Sequence, residues 1–142
     1  MKNVLIIASE LDDRLALISQ LKGKYMIESR SQIPRSVNEL RDIEFDGIIL
    51  SVRRRDESLD FCRKIMSSSL NVWVCIIDLE HKIQNPEEVL EKYGLLGYWG
   101  DSLSNEFSPF VARCSLGDVI IHKRESRLQR FLGILSTKRR KT

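Results

Sequence analysis

The stretch DGIILSV, residues 46 to 52, runs directly into RRRD, residues 53 to 56. Its apolar residues are continuous rather than alternating, which marks a strand covered on both faces and therefore a parallel sheet with helices on either side. The end of such a strand is where open α/β sheets place their ligands and their chemistry. This one ends on Ser51 and then on Arg53, Arg54 and Arg55, with no carboxylate pair, no glycine-rich phosphate loop and no base beside the serine.

Similar apolar runs recur along the chain at VLIIA (4 to 8), YMI (25 to 27), VWVCII (72 to 77) and GYW (97 to 99). Between the first two, Leu11, Leu15, Ile18 and Leu21 repeat at helical spacing. Asp12 and Asp13 sit in the first turn, where the helix dipole favours acids, and Gly23 ends the helix. Ser36, Val37 and Leu40 predict a short second helix after Pro34. Leu59, Phe61, Cys62, Ile65 and Met66 predict a third, stopped by the serines at 67 to 69. Asn85-Pro86-Glu87-Glu88 is a helix start, so the fourth helix runs to about Tyr93 before Gly94. A fifth begins near Asn105 or Pro109. Five strands alternating with five helices predict a doubly wound, flavodoxin-like parallel sheet of order 2-1-3-4-5.

At 142 residues with 42% hydrophobic content, the chain is long enough for one domain with a core of its own. No run approaches the roughly 18 apolar residues of a membrane span, and the start MKNVLIIASELDD turns acidic, unlike a signal peptide. The expected location is the cytoplasm, without membrane contact. Cys62, Cys75 and Cys114 are odd in number and widely spaced, so they are read as reduced core thiols. His81 and His122 lack neighbouring ligands and are read as surface residues; no metal and no cofactor are expected. The net charge of +3 hides an asymmetry: residues 122 to 142 hold eight Lys or Arg against one acid, and the first 121 residues carry −4.

With strand ends at Ser9-Glu10, Ser51 to Asp56, Asp78 and Gly100-Asp101, residues 1 to about 117 resemble the receiver domain of two-component response regulators. VLIIASELDDRLALISQLKGKYMI has the spacing of that family's first strand, acidic loop and helix, and FDGIILSV followed by LDFCRKI matches its third strand and helix. YGLLGYWGDSL matches its fifth strand. The resemblance implies a phosphorylation site made of two acids after the first strand, an aspartate ending the third, a hydroxyl after the fourth and a lysine after the fifth. Here the acid pair falls on Ala8 and Ser9, the acceptor on Ser51, the hydroxyl near Ile77 and the lysine on Asp101. Glu10, Asp56 and Asp78 are the remaining acids near the site, too scattered for a magnesium cage. Ser51 lacks the adjacent base that a nucleophilic serine needs.

Family members without these parts, called pseudo-receivers, act as interaction modules. The resemblance therefore implies a non-enzymatic, phosphorylation-independent domain that contacts itself or a protein partner through the fourth helix, fifth strand and fifth helix. Tyr98 falls on that family's aromatic switch position. Arg53, Arg54 and Arg55 are candidates for holding an anion or an acidic partner, against a plain solvated loop. Flavin mononucleotide and dinucleotide binding are disfavoured, because ASELDD is acidic and no GxGxxG occurs. Beyond Gly117, apolar residues at 121, 128 and 135 and at 120, 131 and 132 predict a helical extension of the last helix over residues 118 to 142, ending in the basic KRRKT; such a stripe suits a dimerising linker toward an output domain outside this sequence or packing against the receiver body. Nucleic-acid binding by that tail and the three arginines is the rival reading, as is a switch that still works through the non-standard acids.

Overall fold

The computed structural model describes residues 1–124. Its elements, in order, are β1 (Asn3–Ile7), α1 (Leu11–Leu21), β2 (Met26–Arg30), β3 (Gly47–Ser51), α2 (Arg55–Met66), β4 (Trp73–Ile77), α3 (Pro86–Tyr93), β5 (Gly97–Gly100), α4 (Phe107–Ser115) and β6 (Ile120–Lys123). All strand pairs are parallel, and the sheet order is β2-β1-β3-β4-β5-β6. The apolar runs of β1, β3, β4 and β5 are buried on both faces, as the sequence predicts: β3 and β5 at every residue and β1 and β4 at all but the first; the run of β2, at the sheet edge, is not, with Met26 59% exposed.

Alternation along the strands divides the core in two. Leu5, Ile7, Ile48, Leu50, Val74 and Ile76 pack on one side against Leu59, Phe61 and Ile65 of α2 and Val89 and Leu90 of α3. Ile6, Ile49, Cys75, Ile77 and Trp99 pack on the other against Leu17 and Leu21 of α1 and Phe107, Phe110 and Val111 of α4. This is the doubly wound arrangement. The three cysteines are free and buried; burial pushes the Cys62 thiol up to about 12, and the hydrogen bond with Cys114, then burial, raises that of Cys75.

The element count differs from the sequence expectation in two places. First, the segment after Pro34 forms only a 3-10 turn over Val37–Leu40 instead of a helix, which leaves four α-helices rather than five. Ser36 caps that turn and Leu40 alone is buried in it. Only six residues separate Leu40 from Gly47, where β3 begins its pairing with β1, so the turn has little room to grow into a helix. Second, there are six strands, not five. The last helix does not extend beyond residue 117: it ends in a turn with Gly117 at φ +94°, a conformation suited to glycine. The chain then doubles back as β6. Ile120 donates to the Leu96 carbonyl at 2.8 Å and Arg124 to that of Gly100 at 3.1 Å, so β-branched residues that fit a helical stripe instead complete the open edge of β5. Ile120–Lys123 thus belong to the sheet; residues 125–142 of the expected extension lie outside the described residues.

Close approach at Gly97 fixes how β5 sits. A Cβ there would meet Cys114 Sγ at 2.4 Å, Phe110 Cζ at 2.7 Å and Cys75 Cβ at 2.9 Å, all in the core. Gly97→Ala is therefore expected to destabilise the fold by about 1–3 kcal/mol, the usual range for overpacking, measured as a lower urea midpoint at unchanged m-value.

Candidate functional site at the carboxyl edge

Parallel strands bring Ala8, Ser9 and Glu10, Ser51 to Arg55, Ile77 and Asp78, and Asp101 to one rim. Ala8, Ser51 and Ile77 are buried, Ser51 being paired in register with Ile77. Ser9 and Glu10 are exposed, and Glu10 stands at the start of α1 without capping it. Asp56 points to solvent with its side chain 97% exposed, beside Arg55 at 3.2 Å. Glu10, Asp56 and Asp78 therefore do not converge. Among the described residues, no group of three or more potential ligands is placed to hold a metal ion.

Cations occupy this rim instead. Arg14, from the first turn of α1, donates to the carbonyls of Ala8 at 2.8 Å and Ser9 at 3.2 Å, where β1 ends. Arg53, just past β3, donates through Nε and Nη2 to Asp13 Oδ2, at 2.9 and 2.6 Å, and reaches Glu80 Oε1 with Nη1 at 2.6 Å. One guanidinium thus ties α1 to the β4–α3 loop across the end of β3. The hydrogen bonds that Arg53 donates to Asp13 and then to Glu80 raise the Arg53 pKa further, and Arg53 in turn lowers that of Glu80. Arg53 is consequently engaged internally. Arg54 lies 82% exposed with only a 3.8 Å contact to Glu57, and Arg55 is half exposed.

The second feature is a buried carboxylate. Asp78 is fully buried after β4 and accepts three hydrogen bonds: from the Lys82 amide at 2.8 Å, the Ile83 amide at 2.9 Å and the Tyr98 hydroxyl at 2.7 Å. The loop curls back to present both amides, with His81 at φ +54° making the turn. Tyr98 points inward and is 2% exposed; its ring lies over Gly100, where a Cβ would meet ring carbon Cε1 at 2.6 Å. Burial and then the bond to Asp78 raise the Tyr98 pKa well above the usual tyrosine value.

Beside this, His122 of β6 stacks on Trp99 with ring centroids 3.8 Å apart and places Nε2 3.1 Å from Asp101 Oδ2. Burial pushes the Asp101 carboxyl up, but the hydrogen bonds from His122 and the Ser102 amide outweigh it, and its pKa falls. Asp101, at the expected lysine position, thus anchors β6. Sequence reasoning passed over three of these residues. Asp13 reads as a dipole-favoured acid, Glu80 carries no signal, and His122 reads as a surface residue because its partner Trp99 becomes visible only through the β5–β6 register.

Replacing Tyr98 with phenylalanine removes one of the three donors to Asp78 and is expected to cost about 1–3 kcal/mol at neutral pH. The pH dependence has a defined sign. Below the usual tyrosine value of about 10 the phenol is protonated in folded and unfolded chains alike; above it the unfolded chain loses the proton first, so stability falls with rising pH. Urea titrations from neutral to alkaline pH should show a shallower alkaline decline in Tyr98→Phe than in the natural chain.

No protein-family model matches the sequence, and no curated protein does. Solved structures are similar. The Vibrio cholerae chemotaxis response regulator CheY4 superposes with TM-score 0.68 at 16% identity, over 80% of this chain and 98% of that one. A LuxR family DNA-binding response regulator from Silicibacter pomeroyi gives 0.68 at 18% identity, over 88% and 98%. A response regulator from Thermotoga maritima gives 0.68 at 14% identity, over 83% and 100%. Six strands in the order β2-β1-β3-β4-β5-β6, with helices on both faces and a rim built from the ends of β1, β3 and β4, give this chain the fold of response-regulator receiver domains.

Proposed function

We propose that the chain is a receiver-like signalling domain that acts by protein contact, without phosphorylation and without catalysis. The observation that carries this reading is the Arg53 guanidinium spanning Asp13 and Glu80 at the end of β3. Phosphoryl transfer to a side chain needs a nucleophile and a divalent cation to neutralise the phosphoryl oxygens. Ser51 stands at the nucleophile's place without a base, and Asp13 is already neutralised by Arg53. The inward Tyr98 supports the same reading: the aromatic side chain that follows the phosphoryl state in switching receivers is held here by Asp78, a residue of the chain itself. Such a domain rests in one state and signals by being present.

Its contact surface is read as α3 and α4, the fourth and fifth helices of the sequence count, with β6 rather than β5 between them, because β6 covers the outer edge of β5. Leu116 and Val119, 78% and 66% exposed, lie in the turn between α4 and β6 and supply the apolar part of that face. No helix among the described residues is long and apolar enough to cross a membrane.

Two experiments test the reading. In a magnesium and beryllofluoride titration followed by NMR, the amides of Glu10, Ser51 and Asp78 should not move; saturable shifts there would restore an active switch. In light scattering across a concentration series, the chain should self-associate, and Leu116→Asp should raise the apparent Kd by about tenfold or more, the equivalent of 1.4 kcal/mol. A monomer at every concentration would remove self-association and leave a partner of different sequence.

A further inference from the structure

A cleft of about 350 Å3 lies between the start of α2 and the loop and helix that follow Asp78. Arg55, Lys82 and Lys92 line it against a single acid, Glu88, a surplus of two positive charges. Among the described residues neither Lys82 nor Lys92 forms an ion pair, and Arg55 meets only the solvent-facing Asp56. The wall is not wholly polar. Val89 is buried, and the half-buried ring of Tyr93 stands beside it with Lys92 Nζ 5.5 Å from the ring centroid. The volume falls in the range of small-molecule pockets, about 300–1,000 Å3.

A surplus of positive charge on a concave surface, here from Lys82 and Lys92 with Arg55 paired only to solvent-facing Asp56, holds anions, and an apolar wall with an aromatic ring favours a flat ring system beside them. We propose that this cleft binds a mononucleotide. Its phosphates contact Arg55, Lys82 and Lys92, and its base lies against Val89 and Tyr93. Lys82 and Ile83 also supply the two amides that hold Asp78, so the occupied cleft touches the loop that keeps Tyr98 inward. The binding itself is independent of the protein-contact reading above; only this link to Tyr98 rests on it.

The test is calorimetric titration of the full chain with ATP, with pyrophosphate and with adenosine, in the natural sequence and in two variants. Arg55→Glu/Lys82→Glu reverses charge inside the cleft; Arg54→Glu reverses it at an adjacent residue that does not line the cleft. The proposal expects saturable ATP binding, weaker by about tenfold or more for pyrophosphate, for adenosine and in the double variant, and unchanged in Arg54→Glu. Several outcomes would overturn it. These are an absence of saturable binding, pyrophosphate binding as tightly as ATP, or an equal loss in Arg54→Glu, which would assign the effect to a diffuse positive field. Amide shifts at Lys82 and Ile83 on ATP addition separate the cleft from Tyr98: shifts there without movement at Tyr98 would remove the link and leave the binding site standing.

Discussion

A carboxylate with no access to solvent is tolerated only when its oxygens are hydrogen-bonded, since an unpaired buried charge costs several kcal/mol. Asp78 meets this condition with three donors drawn from two elements, and each donor constrains its surroundings. The loop after β4 must fold back over the strand end, which places His81 in a left-handed conformation. Tyr98 must turn inward, and residue 100 must then be glycine, because the ring takes the space of its Cβ. With Tyr98 committed to one face of β5, Trp99 faces the other, where it meets Phe107, Phe110 and His122 edge-on or stacked.

The rest of the rim is neutralised from within. Arg14 satisfies carbonyls at the end of β1, and Arg53 balances Asp13 and Glu80 in a partly buried position, where pairing is screened less than at an open surface. The cation that faces both carboxylates is the Arg53 guanidinium, covalently part of the chain. The three consecutive arginines consequently have different roles: Arg53 is structural, Arg54 is solvated, and Arg55 faces the α2–α3 cleft.

The sheet was legible because its evidence is local: runs such as VLIIA and GIILSV are apolar on consecutive residues, which only a doubly covered strand requires. Helix ends at Gly23 and Gly94 were legible for the same reason, each glycine having a positive φ. The sixth strand was not. Ile120 and Ile121 fit a helical stripe as well as a strand, and the deciding factor, the free edge of β5, lies more than twenty residues away in sequence. The residues that stand at the strand ends were readable one by one. Their partners were not, because the pairing of Arg53 with Asp13 spans 40 residues and exists only once β1 and β3 are neighbours.

The parallel direction of β6 also decides on which side of the sheet Arg124 stands. Each strand of this sheet runs toward the rim and each helix returns from it, so a chain closing on α4 would finish at the far side of the sheet. The additional strand adds one more crossing. Arg124 therefore stands beside Gly100, on the same side as Asp78 and Arg53 rather than at the opposite end of the strands.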